Sequence, residues 1–323
     1  LSQDRQPIWP RVILRVSACL IGQAVRYDGG HKRDGFVANT LGRFADYVPV
    51  CPEEAAGLGV PRLPIRLVGG PSGPRALVLG DPAADVTAKL EQVAARQVDV
   101  LAGIDGYILK SGSPSCGLEG VRVHDAPGRA PQRSGTGVFA RILTARLPCL
   151  PVQDELGLSD DSLRDSFLTR VFARARWREA TAGALHRADL LRFHREHELL
   201  ALDRSRCARG RLEGVLADLE TDDVEAVGDR YLEALMSVLE EPVRREGQVK
   251  VMRHLVSRLR GRLGDADRRR LEASVRAFGD GEARLAAPMG LLRQAFRRYR
   301  DPHTEYHAYL HPYPDALRPS HGL

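Results

Sequence analysis

The sequence has no long apolar run. None of its hydrophobic stretches approaches the roughly 18 residues that a bilayer span requires, and Leu1–Pro10 has neither the basic end nor the apolar centre of a signal peptide. A cytoplasmic protein is expected. Cysteine is scarce: there are five, an odd number at irregular spacing, which excludes the disulfide framework of a small secreted domain and leaves metal binding, catalysis or burial. No C-x-x-C pair, internal repeat or low-complexity segment is present. Lysine is nearly missing, at four of the 48 basic residues. The arginine bias partly reflects genome composition, so the clustering of the charges says more than their type. Arg244 to Arg270 holds ten Lys or Arg against three Asp or Glu, a density that suits a phosphate backbone or a solvated, salt-bridged helix face.

What is there fits two folded domains: 323 residues, 43% hydrophobic and 28% charged. From Val12 to about Pro151, short apolar runs alternate with Gly and Pro. Leu67–Gly70 and Ala76–Gly80 predict a hairpin around Pro71-Ser72-Gly73-Pro74, Asp85 caps a helix over Val86–Ala102, and Gly106–Leu109 reads as a buried strand. A polar excursion from His124 to Gly137, a helix over Val138–Arg146 and a strand over Leu147–Val152 follow. This order predicts an α/β domain, a mostly parallel sheet with flanking helices, over residues 1–155.

Residues 156–323 have helical period almost throughout and predict an all-α domain. Its helices are read from a cap at Ser159-Asp160-Asp161, then over 184–200, 211–219, 223–239, 242–263, 265–278 and 283–299. The stretch Tyr306–Pro314 is too rich in Pro and aromatics for another helix and is expected to pack as an ordered extension. His194 and His197 share a helix face, as a polar interior pair or an RNA-facing one.

Three strand-like runs end alike. Val12–Val16 opens into Ser17-Ala18-Cys19-Leu20-Ile21-Gly22, Tyr47–Val50 into Cys51-Pro52-Glu53-Glu54, and Gly106–Leu109 into Lys110-Ser111-Gly112-Ser113-Pro114-Ser115-Cys116-Gly117. The cysteines are 32 and 65 residues apart, so only a sheet with these ends on one edge would unite them. Such an edge is where α/β sheets bind ligands. Three thiolates there suit zinc, an iron–sulfur cubane with one open iron, or redox chemistry; plain burial is the bland reading.

These motifs, with Val25-Arg26-Tyr27-Asp28-Gly29-Gly30, resemble the thiouracil desulfidase (TudS) family over residues 12 to 155. The helical half is similar to the YbgA-like domain at Leu191-Arg192-Phe193-His194, Met252-Arg253-His254-Leu255 and Tyr309-Leu310-His311-Pro312-Tyr313-Pro314, with Glu198 departing from a basic residue. The resemblance implies a [4Fe-4S] cluster on Cys19, Cys51 and Cys116 with one iron open to sulfur. The fusion looks like the desulfidases that convert 4-thiouridine in tRNA to uridine.

Exchanging C=S for C=O with water needs no net electrons, so the cluster is expected to act as a Lewis acid. Glu53 is the candidate general base, with Glu54 and Asp28 behind it; Ser113 or Ser111 would pass a proton and Lys110 would stabilise negative charge. Each has a bland role: a cap for Glu53, a turn for Asp28, backbone bonding for the serines. Arg244, Arg245, Lys250, Arg253, Arg258, Arg260 and Arg262 are candidate phosphate contacts. Cys149 is read as core and Cys207 as a helix-end thiol. The competing functions are a desulfidase of free thiouracil or thiouridine nucleotides, a non-catalytic iron–sulfur RNA-binding protein, and a zinc-stabilised module.

Overall fold

The computed structural model describes residues 9–70, 73–99, 103–124, 130–205, 207–259, 261–299 and 307–318. It divides into two compact units, one of residues 11–163 and one of residues 164–323 joined by Trp9 and Pro10. Among the described residues no helix is long and apolar enough to cross a membrane.

The first unit holds two sheets. Strands β1 (Val12–Ser17), β2 (Ala45–Val50), β6 (Gly106–Leu109) and β9 (Val152–Asp154) form a four-stranded sheet in the order β2-β1-β6-β9. All its pairings are parallel, with Val16 opposite Pro49 and Ile108. Because the strands run together, the segments that leave β2, β1, β6 and β9 emerge side by side on one edge. The second sheet is mixed: β3 (Ile65–Val68), β4 (Arg75–Val78), β5 (Asp81–Asp85), β7 (Val121–His124) and β8 (Gln132–Gly135), in the order β5-β4-β3-β7-β8. The hairpin read around Gly73 is β3 with β4; Pro71 and Ser72 lie outside the described residues. Two elements differ from expectation. The excursion after His124 returns as β8, antiparallel to β7, and the last parallel strand begins at Val152 because Pro148 and Pro151 remove ladder donors from the run before it.

Helices α1 (Pro52–Ala55), α2 (Thr87–Asp99) and α3 (Val138–Arg146) flank the sheets. Residues 100–102, where α2 is expected to end, lie outside the described residues. Val93 and Ala94 of α2 with Phe139, Ala140 and Leu143 of α3 pack in one core with Tyr107 and Leu109 of β6. The Tyr107 and Phe139 rings meet edge to face at 5.9 Å. This core fixes β6, and with it the loop that carries Cys116.

The second unit is helical: α4 (Asp161–Ala180, whose first turn precedes the division), α5 (Arg187–Leu202), α6 (Ala208–Ala217), α7 (Val224–Glu240), α8 (Arg245–Arg258), α9 (Asp265–Gly279) and α10 (Ala286–Tyr299). Asp160 and Asp223 cap α4 and α7 by accepting backbone N–H groups. The long helix expected over 242–263 is shorter, since the chain turns at Leu259. His194 and His197 both face the interior. The His194 Nδ1 lies 2.9 Å from the Tyr231 hydroxyl, and His197, fully buried, stacks on Phe193 with centroids 3.9 Å apart. The tail packs on these helices: Ala308 N–H donates to Glu196 O, and Arg176 and Arg293 donate to the carbonyls of His311 and Leu310.

Candidate active site

Parallel pairing does what spacing alone does not. Cys19 sits in a single 3-10 turn, Ala18–Ile21, directly after β1, and Gly22 closes that turn at a φ of 98°. Cys51 is the residue between β2 and α1, with Pro52 at the first helical position. Cys116 ends the loop after β6. All three are free thiols, and they line one cavity of about 340 Å³ with Ser17, Glu53, Lys110, Ser111 and Ser113.

The Cys116 loop is held by backbone. Val138 and Ala140, at the start of α3, donate to the carbonyls of Pro114 and Ser115, and Gly117 N–H donates to Ser113 O. Two glycines permit that approach: a Cβ on Gly137 would lie 2.4 Å from the Ser115 carbonyl oxygen, and one on Gly117 would lie 2.9 Å from Ser113 O.

Burial raises the Cys19 thiol to about 11, with Cys51 adding to the effect and Arg26 and Lys110 opposing it. Burial likewise raises Cys116 and Cys51; Glu53, Cys51 and Cys19 push Cys116 further up while the Ser17 hydroxyl holds it down. Cys51 acts as negative charge on both Cys19 and Cys116, and Glu53 on both Cys51 and Cys116, so the three thiols share one electrostatic environment. Tyr107, fully buried, adds a hydroxyl without a hydrogen-bond partner that lies within the field of Cys116 and Cys51.

Glu53 turns into the cavity and both its oxygens are engaged. Oε2 accepts from Arg62 Nε at 3.0 Å and Nη2 at 2.8 Å, and Oε1 accepts from Ser115 Oγ at 2.7 Å. The Arg62 guanidinium also donates to Val25 O and Gly59 O and reaches Cys51 Sγ at 3.9 Å. Lys110 Nζ pairs with Glu155, which follows β9 and also accepts from the Ser111 N–H at 2.9 Å and hydroxyl at 2.6 Å. Ser113 Oγ accepts from the N–H groups of Ser115 and Cys116 at 3.2 Å each, leaving its own proton to donate.

Glu53, Ser113, Ser111 and Lys110 therefore gather with the cysteines. Asp28 and Glu54 are exposed and do not line the cavity; Asp28 accepts from Gly30 N–H in a turn, which lowers its carboxyl below the ordinary range. The basic candidates belong to the helical unit. Arg244, Lys250, Arg253, Arg258 and Arg262 are exposed on or beside α8, Arg245 lies 5.3 Å over the Phe278 ring, and Arg260 falls outside the described residues. Cys149 is half-buried and Cys207 is exposed just before α6.

Sequence reading missed Arg62 and Glu155. Arg62 lies in a loop with no period or motif to single it out. Glu155 had a signal, being the first residue past a fourth run that ends on the same edge.

Residues 14–155 match the 2-thiouracil desulfurase family. The chain is also 32% identical to the solved structure of the [4Fe-4S]-dependent thiouracil desulfidase TudS, covering 93% of that chain and 46% of this one, with a TM-score of 0.36. Residues 14–155 are a 2-thiouracil desulfurase domain. Beyond the desulfurase unit, residues 199–314 match a family of unknown function, DUF1722. The uncharacterized protein YbgA of Escherichia coli (strain K12) is 23% identical over 159 residues, which is 94% of that protein and 49% of this chain.

The desulfurase cavity fits an iron–sulfur cluster. Its donor set is three soft thiols from separate segments in one partly enclosed space, and soft thiolates favour iron–sulfur clusters or zinc. Among the described residues no group of three or more His, Cys, Asp or Glu closes on a single ion. A cubane holds its thiolates farther apart than one ion does.

Proposed function

We propose that the protein replaces the sulfur of 4-thiouridine in tRNA with oxygen from water and releases hydrogen sulfide, with Cys19, Cys51 and Cys116 holding a [4Fe-4S] cluster. The observation that carries this reading is the meeting of those three free thiols, at adjacent parallel strand ends, with a carboxylate, hydroxyls and an ammonium in one cavity. A bound cluster with an open iron would supply Lewis acidity toward the thiocarbonyl sulfur.

The chain's own groups would do the rest. Water must lose a proton as it attacks carbon, and Glu53 Oε1, which among the described residues accepts from Ser115 Oγ alone, has a further lone pair for it. Arg62 holds the other oxygen and so fixes the carboxylate plane. The Ser113 proton is available to the ring nitrogen or the leaving sulfur. Lys110, steadied by Glu155 and Ser111, would offset negative charge that grows as sulfide departs. The basic α8 would contact the RNA backbone, which positions a substrate without reading its sequence.

The test is an anaerobic preparation of wild type and of Cys19→Ala, Cys51→Ala and Cys116→Ala, assayed for iron, acid-labile sulfide and nucleosides after incubation with bulk tRNA. Iron-loaded wild type that converts 4-thiouridine to uridine, with all three variants iron-poor and inactive, supports the reading. Full activity without any one of the thiols overturns it.

A further inference from the structure

Behind the cysteine cavity, two buried polar side chains have nothing to bond. Arg15 on β1 and Tyr107 on β6 are cross-strand neighbours in the parallel pairing, so their side chains leave the sheet on the same face. Arg15 is 7% exposed and Tyr107 is fully buried. Among the described residues, the Arg15 Nε and the Tyr107 hydroxyl have no hydrogen-bond partner, and the Arg15 guanidinium makes no ion pair. Native interiors rarely leave such groups unmatched, and an unpaired charge is costlier than an unpaired hydroxyl.

The same face of the sheet leads to the cysteines. Ser17 lies two residues past Arg15 on β1 and so on the same side of the strand; it accepts the Lys110 N–H at 3.0 Å, and its hydroxyl acts on the Cys116 thiol. Tyr107 and Cys116 pack in one core. Burial raises the Tyr107 phenol, and the charges it feels are those of Cys116, then Arg15, then Cys51. Within the cavity, Arg62 is matched by Glu53 and Lys110 by Glu155. Cluster-bound cysteines are thiolates, and three of them exceed the positive charge of a resting cubane core, so the occupied site is net anionic. Arg15 is a buried cation on its inner side with no acid of its own.

We propose that Arg15 and Tyr107 form a charge-compensating pair behind the cysteine cavity, which offsets the negative charge of the bound cluster and raises its reduction potential. This rests on the cluster reading of the same cavity. Net charge and hydrogen bonds to the sulfurs are among the factors that set such potentials, and a buried charge is little screened by salt. The consequence for the reaction is an electron-poor open iron, which is the better Lewis acid toward a thiocarbonyl sulfur. Neither residue lines the cavity, so both are positioning residues that act through the cluster.

The experiment uses the whole chain, prepared anaerobically with its cluster, as wild type, Arg15→Met, Arg15→Lys and Tyr107→Phe. Titration with dithionite, which supplies the single electron, followed by electron paramagnetic resonance, would measure the midpoint potential of the cluster. Arg15→Met should shift the equilibrium against the reduced form by about tenfold, which is 59 mV for one electron. Arg15→Lys keeps the charge and should restore most of that shift, and Tyr107→Phe should move the potential the same way by a smaller factor. Urea denaturation of the cluster-free proteins separates this role from a structural one. Without the cluster, Arg15→Met removes an unmatched charge and should be at least as stable as wild type. Potentials equal to that of wild type in both Arg15→Met and Tyr107→Phe overturn the pair, as does a cluster-free Arg15→Met that unfolds more easily than wild type. Wild type that holds neither iron nor acid-labile sulfide sinks the cluster reading and the pair with it, whereas a loaded wild type whose potential the variants do not move sinks the pair alone.

Discussion

Arg62 reaches past Glu53 to the cysteine beside it, its Nη2 lying 2.8 Å from Glu53 Oε2 and 3.9 Å from Cys51 Sγ. The pair is nearly enclosed, with side chains 6% and 13% exposed. Removing one member of a buried pair leaves the other uncompensated, at a cost of about 3 kcal/mol or more. Arg62→Met should therefore lower stability by about that much, and Arg62→Met with Glu53→Gln should recover part of it. Urea denaturation of the four proteins in the cycle measures the coupling. Strict additivity would mean that the two residues do not act as a pair.

The Cys116 loop is sensitive to one hydrogen-to-methyl change. Gly137 has a φ of −59°, which alanine accepts, so only space opposes substitution. The added Cβ would meet the Ser115 carbonyl oxygen at 2.4 Å and Cys116 N at 2.8 Å, both backbone atoms of the ligand-bearing loop. Gly137→Ala should cost about 1–3 kcal/mol and lower iron retention. Gly35→Ala, with nothing within 4 Å of its Cβ, is the control. Equal iron content in the two variants would count against a loop held to that tolerance.

The site was partly legible because its chemistry lies at strand ends. Cys19, Cys51 and Cys116 each follow an apolar run, and parallel pairing of β1 with β2 and β6 unites them. Their partners were not legible. Arg62 meets Glu53 only because the loop through Gly59 folds back on Val25, and nothing local in sequence encodes a tertiary turn. The second sheet was half hidden for a similar reason: β8 reads Gln132-Arg133-Ser134-Gly135, a polar edge strand whose pairing with β7 supplies what its composition does not.

The helical unit should weaken in mild acid. Burial lowers His307 to about 3 and His311 to about 4, and holds His197 well below its ordinary value; Arg258 and His254 add to the effect at His307. An unfolded chain binds protons at these histidines near pH 6.5. The stability they confer is thus complete above that pH and is lost as pH falls toward 4. Asp203 acts in the opposite direction, since burial raises it to about 7 and the folded form keeps a proton that the unfolded chain releases above about pH 4. Burial also lowers His194 and raises Glu196, so four histidines against two carboxyls leave a net loss. For His307, 2% exposed, the slope is about 1.4 kcal/mol per pH unit. Urea midpoints between pH 7 and 4.5 should fall, and His307→Phe should flatten the fall by about one proton. An unchanged slope in that variant would show that His307 does not contribute.

On α8, Val249, Val251, Met252, Leu255 and Val256 are buried while Lys250, Arg253 and Arg258 are exposed. Their charges can therefore be removed without opening the core. If these three contact RNA phosphates, replacing all of them with Gln removes up to three released counterions. The log–log plot of tRNA affinity against salt should become shallower by about two to three, at roughly 0.7–0.9 per contact. Binding should weaken similarly across unrelated RNA sequences, because phosphate contacts carry no sequence information. Thermal stability should stay within about 0.5 kcal/mol of wild type, as for other surface changes. A salt slope equal to that of wild type would move the RNA surface away from α8, even if the cysteine cavity desulfurates thiolated RNA.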